Sequence, residues 1–254
     1  MKHLYHVRSK QPEAARHLGS KTAHKTENAF PVTLPCSQHC DDAVSRSLHQ
    51  FAESLGNAID AKDPNTSCHS EEVAVVAQAI GQKLGLTCHE ADILHIAGHL
   101  HDIGKIGVPD RVLQKQGPLD EEEMHLIRQH PAIGANIVQP VQAFSKMTGI
   151  QAMILHHHER YDGKGYPYGL AGNAIPRGAR IIAVADSLSA MLQNRPYRKA
   201  MSFDEAMEEL RQCSGYQFDP LVVQAALATR QHIHDLTAML KDSDHAAACL
   251  TMPL

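Results

Sequence analysis

The chain has 254 residues, enough for one large domain or two small ones. Aromatic residues make up 4% of it and Trp is absent, so the core must be aliphatic, as packed helices allow. A formal net charge of -4 excludes a broad basic surface for DNA, and any anionic substrate must be met by local Lys and Arg. There is no apolar run long enough to span a bilayer and no apolar signal-peptide core, so a cytoplasmic location is expected. Six dispersed cysteines do not make a disulfide scaffold in a chain of this length. Nineteen histidines need explaining, and both a surface scattering and metal binding are expected to contribute.

Residues 1–40 are polar and without sustained period, and a flexible leader is expected there. Cys36 and Cys40, with His39 between them, are spaced as half of a zinc site, but no second pair lies nearby. From about Asp41, Val44, Leu48, Phe51, Leu55 and Ile59 recur every three or four residues, which predicts an amphipathic helix ending near Asp63-Pro64. A second helix is predicted from about Ser67, with Glu71 and Glu72 in its first turn and Val73, Val76, Ala77, Ile80 and Leu84 as its stripe. His69 lies on that stripe, where a core histidine bonded to a carbonyl is the commoner reading and metal ligation the other.

A third helix is predicted from about His89 to Ile103, closed by Gly104. His101 shares its inward face with Ile93 and Ala97, and Asp102 stands beside it. One ion can collect both side chains only at a buried turn, because neighbours on a helix point about 100° apart. His95 and His99 form a competing stripe and are read as partly exposed or as standing behind the ligands, with ligation as the alternative. Asp120 and Glu123 form a capping box for a fourth helix, which His130 closes before Pro131. A fifth covers roughly Gly149 to Glu159. Within it His157 and His158 fall in the apolar sector of Ile150, Met153 and Ile154, while His156 falls nearly opposite.

The stretch Arg160 to Leu170 holds Gly163, Gly165, Pro167 and Gly169 and reads as a loop of special backbone shape, suited to a ligand or a partner protein. A sixth helix follows Pro176. Asp186 sits in its apolar run, and burying a lone carboxylate is costly unless it is paired or bound to a metal. Arg195-Pro196-Tyr197-Arg198-Lys199 is a compact basic cluster suited to phosphate, or else a solvated helix end. A helix over about Phe203 to Cys213 and a last helix after Pro220 complete the pattern, with a frayed extension expected at 236–254. No strand-period segment stands out.

The inward polar residues are therefore His69, His101, Asp102, His130, His157, His158 and Asp186. Five imidazoles and two carboxylates suit a binuclear site, since one carboxylate can bridge two metals. Such a pair can activate a bridging water and clamp both oxygens of an in-line displacement at phosphorus. The all-N/O donor set points to two divalent ions, iron or manganese before nickel, cobalt or zinc.

At this point the sequence resembles the HD-GYP family of the HD phosphohydrolase superfamily. The resemblance is carried by His101-Asp102-Ile103-Gly104-Lys105 and by His157-His158-Glu159-Arg160-Tyr161-Asp162-Gly163-Lys164-Gly165-Tyr166-Pro167. Ile175-Pro176, Arg180-Ile181, Ala185-Asp186, Arg195-Pro196-Tyr197-Arg198 and Phe218-Asp219-Pro220 follow in order. It covers residues 41–235. It implies an all-α fold, an HD-domain helical bundle with an added C-terminal helical GYP subregion. It also implies hydrolysis of cyclic di-GMP to linear pGpG and, in some members, GMP. The family's metal ligands carry over onto the seven residues above, its catalytic lysine onto Lys105 beside Asp102, and its substrate-contacting positions onto Arg195 and Arg198. The Gly165-Tyr166-Pro167 loop is implied to flank the substrate and, in some members, to dock diguanylate cyclase (GGDEF) domains.

Two departures stand out. Asn65 replaces a Glu that some members use for a third metal, so two metals are expected. Ser189 replaces a family Asp that lies close to the lysine and substrate. The leading reading is a cyclic di-GMP phosphodiesterase. A low-activity binding module for cyclic di-GMP or a cyclase, and a phosphohydrolase for another cyclic dinucleotide, are the alternatives.

Overall fold

The structure is a computed structural model that describes residues 43–63, 68–144, 149–194 and 199–250. The calls on Cys36 and Cys40, on Asn65, and on Arg195 and Arg198 lie outside the described residues. Within them the chain is all-α. In order the helices are α1 Ala43–Lys62, α2 His69–Lys83, α3 Cys88–Leu100, α4 Asp110–Leu113, α5 Glu121–Arg128, α6 His130–Val138, α7 Ile150–His156, α8 Arg177–Leu192, α9 Phe203–Gln212, α10 Pro220–Ala228 and α11 Arg230–Leu250. The only extended pairings among the described residues are isolated bridges, Asp162 with Ala171 and Ser214 with Phe218.

The centre of the bundle is α2. It packs on α3 along one side and α8 along another, and α1, α10 and α11 also reach it. Its stripe of Val73, Val76, Ala77 and Ile80 is fully buried, as are Leu94, Ala97 and Leu100 of α3 and Ile181, Val184 and Leu188 of α8. Covering that apolar surface is what holds the helices together, at roughly 25 cal/mol per Å². No helix of the described residues is long and apolar enough to cross a membrane.

Several sequence expectations are corrected. Phe51 is 59% exposed, because the inward face of α1 is centred on Ala52, Gly56 and Ile59 instead. Helix α3 stops at Leu100, before Ile103, and a 3₁₀ turn at Ile103–Gly107 follows. Gly104 lies in that turn and does not close the helix. Its role is close approach: an added Cβ would stand 1.9 Å from the His130 carbonyl oxygen and 2.5 Å from the Gly134 nitrogen of α6. His130 opens α6 where it was expected to close a preceding helix. Asp120 and Glu123 do form the expected capping box on α5, at 2.9 and 3.0 Å. The C-terminal segment holds two helices, and α11 runs on past residue 235.

Candidate metal centre

The sequence places a histidine where each of several helices begins or ends, and the fold gathers those ends. His69 opens α2, His130 opens α6, His157 follows the last residue of α7, and His101 and Asp102 occupy the turn after α3. Asp186 comes from the middle of α8. His69, His101, His130 and His157 are each at most 2% exposed.

Three of these rings are held in one way. The Nδ1–H groups of His101, His130 and His157 donate to the carbonyls of Gly98, Ile127 and Ile154, each at 2.7 Å and each three residues earlier. That bond fixes the tautomer and leaves the Nε2 lone pair facing the centre. His69 is held differently. Its Nδ1 lies 2.9 Å from Ser189 Oγ, and that hydroxyl donates to Glu72 Oε2 at 2.5 Å. Gln193 Nε2 donates to the same carboxylate oxygen at 3.2 Å. Ser189 thus stands behind His69. The family's Asp at this position is the one expected close to Lys105 and the substrate; in this chain the Ser189 hydroxyl contacts the back of the His69 ring.

The two oxygens of Asp102 divide the site. Oδ1 lies 3.1 Å from His130 Nε2 and 3.9 Å from His157 Nε2, while Oδ2 lies 3.4 Å from His101 Nε2 and 3.9 Å from His69 Nε2. Asp186 Oδ1 is 3.2 Å from His69 Nε2 and 4.0 Å from His101 Nε2. Two groups result that could each hold a metal ion: Asp102, His130, His157 and His158, and His69, His101 and Asp186. His101 Nε2 is buried with no hydrogen-bond partner among the described residues, an orphan donor atom that a cation at this point would satisfy. The donor set therefore fits divalent metal.

His158 lies beyond the end of α7, so its position is set by packing and not by helical period. Its ring lies 4.0 Å from that of His157 and stacks on Tyr166 at 4.9 Å. Arg128 of α5 covers the Tyr166 ring, with its guanidinium carbon 5.7 Å from the centroid. Gly165 lets the loop fold back on Glu159–Arg160, where an added Cβ would meet the Arg160 nitrogen at 2.3 Å. Glu159, buried and unassigned from sequence, accepts from the Tyr168 and Leu170 amides at 2.8 and 3.0 Å. The Tyr166-Pro167 peptide is cis, and Pro167 and Tyr168 are exposed.

Lys105 is buried with its Nζ 2.8 Å from Asp102 Oδ2 and 3.0 Å from Asp63 Oδ2 at the end of α1. Burial opposes its charge, yet the two carboxylates outweigh burial and raise its pKa. Burial likewise opposes the Asp102 carboxylate, but Lys105 and His101 hold it well below the usual range. His101 is pushed up to about 9, as Asp102 and Asp186 overcome its desolvation. His158 is lowered to about 3, first by burial and then by its histidine neighbours. His157 is lowered for the same reasons.

Sequence reasoning gave no role in the site to Asp63, Glu72 or Glu159, whose partners come from other elements. Of the readings open for His95 and His99, partial exposure does not hold. They are 8% and 2% exposed and, with His49, form a third group apart from the centre.

The family model described as HD domain matches residues 53–222. A protein described as a cyclic di-GMP phosphodiesterase response regulator, from Xanthomonas campestris, is 43% identical over 72% of this chain and 48% of its own length. A cyclic di-GMP phosphodiesterase of Thermotoga maritima is 38% identical over 78% of this chain and 53% of its own. A 3'3'-cGAMP-specific phosphodiesterase of Vibrio cholerae is 37% identical over 84% of this chain and 49% of its own. The chain thus spans about half the length of these relatives. Among solved structures, a cyclic GMP-AMP specific phosphodiesterase of V. cholerae superposes with TM-score 0.59 at 19% identity, over 82% of this chain and 54% of that one. An HDG"Y"P protein from Bdellovibrio bacteriovorus superposes with TM-score 0.54 at 22% identity, over 78% and 62%. Both likenesses are of fold.

Proposed function

Because the chain belongs to the HD domain family, in its HD-GYP branch, we propose that it is a metal-dependent phosphodiesterase that hydrolyses cyclic di-GMP to linear pGpG, with GMP as a further product. The observation that carries this reading is the placement of Asp102, which belongs to one ligand group through Oδ1 beside His130 and turns Oδ2 toward His101 of the other. In it the ligands are His69, His101, Asp102, His130, His157, His158 and Asp186, holding two divalent ions, iron or manganese before nickel, cobalt or zinc. Bound metal supplies an activated water and charge to offset the phosphate.

The chain's own residues do the rest. The carbonyls of Gly98, Ile127 and Ile154 keep three rings aimed inward before substrate arrives. Lys105, its pKa raised, keeps its proton and serves as a fixed positive charge toward the phosphate, not as a base. Arg195 and Arg198 are assigned the other phosphate contacts. Gly165, Tyr166 and Pro167 wall the pocket, with Tyr166 holding His158 in place. The exposed Pro167 and Tyr168 offer a surface for a diguanylate cyclase domain. The catalytic region is placed at 41–235, between a leader at 1–40 and an extension at 236–254, and it encloses the matched residues 53–222. A cytoplasmic location belongs to the same proposal.

The test is turnover of cyclic di-GMP by protein purified without oxygen, with metals counted on the same sample. About two metals per chain with linear product is the expected result. Asp102→Ala should lose metal and turnover together; full metal and full rate in that variant would refute the assignment. A hybrid cyclic dinucleotide is the second reading, favoured by the relative described as cGAMP-specific. Competition between the two substrates at equal concentration decides it.

A further inference from the structure

Outside the centre, one cluster has the composition of a binding site and no part in the reaction. His95 and His99 stand one turn apart on α3, His49 faces them from α1, and Glu71 reaches in from the first turn of α2. The Nε2 atoms of His95 and His99 are 3.1 Å apart, and Glu71 Oε2 lies 3.5 Å from His99 Nε2. One atom of each of the three histidines lies within 4.8 Å of the others. The His49 ring stacks on His95 at 4.8 Å.

We propose that His49, His95, His99 and Glu71 bind a divalent transition-metal ion of the zinc class, at a site separate from the catalytic centre.

Spacing is the first argument. Zn–N bonds of about 2.0–2.1 Å at tetrahedral angles put ligand atoms about 3.3 Å apart. The observed 3.1 and 3.5 Å bracket that value. Hydrogen bonding is the second. A neutral imidazole carries one proton, yet His99 Nε2 faces both a nitrogen and a carboxylate oxygen at these distances. A simple histidine pair therefore leaves this nest of polar atoms poorly satisfied. Three imidazoles and a carboxylate suit zinc, cobalt or nickel and not a hard ion such as magnesium.

An ion here would tie α1, α2 and α3 together. The far end of α1 carries Asp63, the partner of Lys105, so the site would brace the catalytic lysine from outside the centre.

The test uses the full chain, stripped of metal and dialysed against Zn(II) alone, with zinc counted per chain. His49→Gln removes a part-buried ligand on the outermost of the three helices. It is expected to bind one zinc fewer than wild type. In an Asp102→Ala/Asp186→Ala background, which takes a ligand from each group of the centre, Zn(II) should still raise the melting temperature, and adding His49→Gln should abolish the rise. Should His49→Gln fail to fold, Glu71→Gln serves in its place. An equal zinc count in wild type and variant, or a melting temperature in the Asp102→Ala/Asp186→Ala protein that Zn(II) does not move, would overturn the site.

Discussion

At the residue scale, the most informative side chain is Ser189. Its hydroxyl accepts a hydrogen bond from His69 Nδ1–H and donates one to Glu72, so a buried carboxylate steadies a ring that opens α2. Burial raises the pKa of Glu72, and the hydrogen bonds from Ser189 and Gln193 work against that rise. Partners of this kind set ring orientation and basicity, and removing one costs about 10–100-fold in metal affinity or activity. Ser189→Ala is therefore expected to weaken metal binding by that factor, read by titration with a chelating competitor, while the helical CD spectrum stays unchanged. Unaltered affinity in Ser189→Ala would mean that His69 needs no such support. Glu72 escapes a sequence reading for a plain reason. An acidic residue in a first helical turn already has an explanation in the helix dipole, and only the packing of α8 on α2 shows that this one is buried.

At the element scale, the site depends on how closely the 3₁₀ turn Ile103–Gly107 approaches α6. Gly104 leaves room for the His130 carbonyl and the Gly134 amide, and no side chain can share that space. The obstacle is backbone, which cannot swing aside as a flexible side chain could. Gly104→Ala is expected to destabilise the protein by about 3 kcal/mol, read as a lowered urea midpoint, and to separate Asp102 from His130. A midpoint matching wild type would show that α6 can retreat freely. The helices themselves were largely legible. Stripes such as Val73, Val76 and Ile80 marked the inward face of α2, and Asp120 with Glu123 marked the start of α5. What the sequence withheld depends on tertiary neighbours. His95 and His99 were left between partial exposure, a place behind the ligands and ligation because one apolar stripe had already been assigned to α3, but α1 and α2 both cover that helix. His158 was placed by helical period, yet α7 ends at His156, and the ring is held by Tyr166 from a loop.

At the scale of the whole molecule, the metal-free chain carries many imidazoles that resist protonation. His95 is lowered to about 4, and His99 and His158 to about 3, from an ordinary value of 6.5, chiefly by burial. Between the folded and unfolded values the unfolded chain binds more protons, so stability rises with pH across that window. His101 works the other way. Its stabilising contribution is complete below pH 6.5 and is lost as pH climbs through about 9. The depressed imidazoles act below pH 6.5 and His101 above it, so on the acid side the imidazoles weaken the fold. The denaturant midpoint of the metal-free protein is expected to fall steadily from pH 6.5 toward 4, and His95→Gln should make that fall shallower. A midpoint flat between pH 6.5 and 5 would count against buried neutral histidines.

The two ligand groups also differ in their order along the chain. Asp102, His130, His157 and His158 have all been synthesised before Asp186 emerges, whereas His69 and His101 wait for that last carboxylate on α8. During vectorial synthesis the first group can assemble while the ribosome still holds the rest of the molecule. The second closes only once α8 has docked on α2, since His69, Ser189 and Glu72 meet across that contact. A translation pause placed shortly before α8 would therefore yield a nascent chain that has the donors of the first group and lacks the carboxylate of the second.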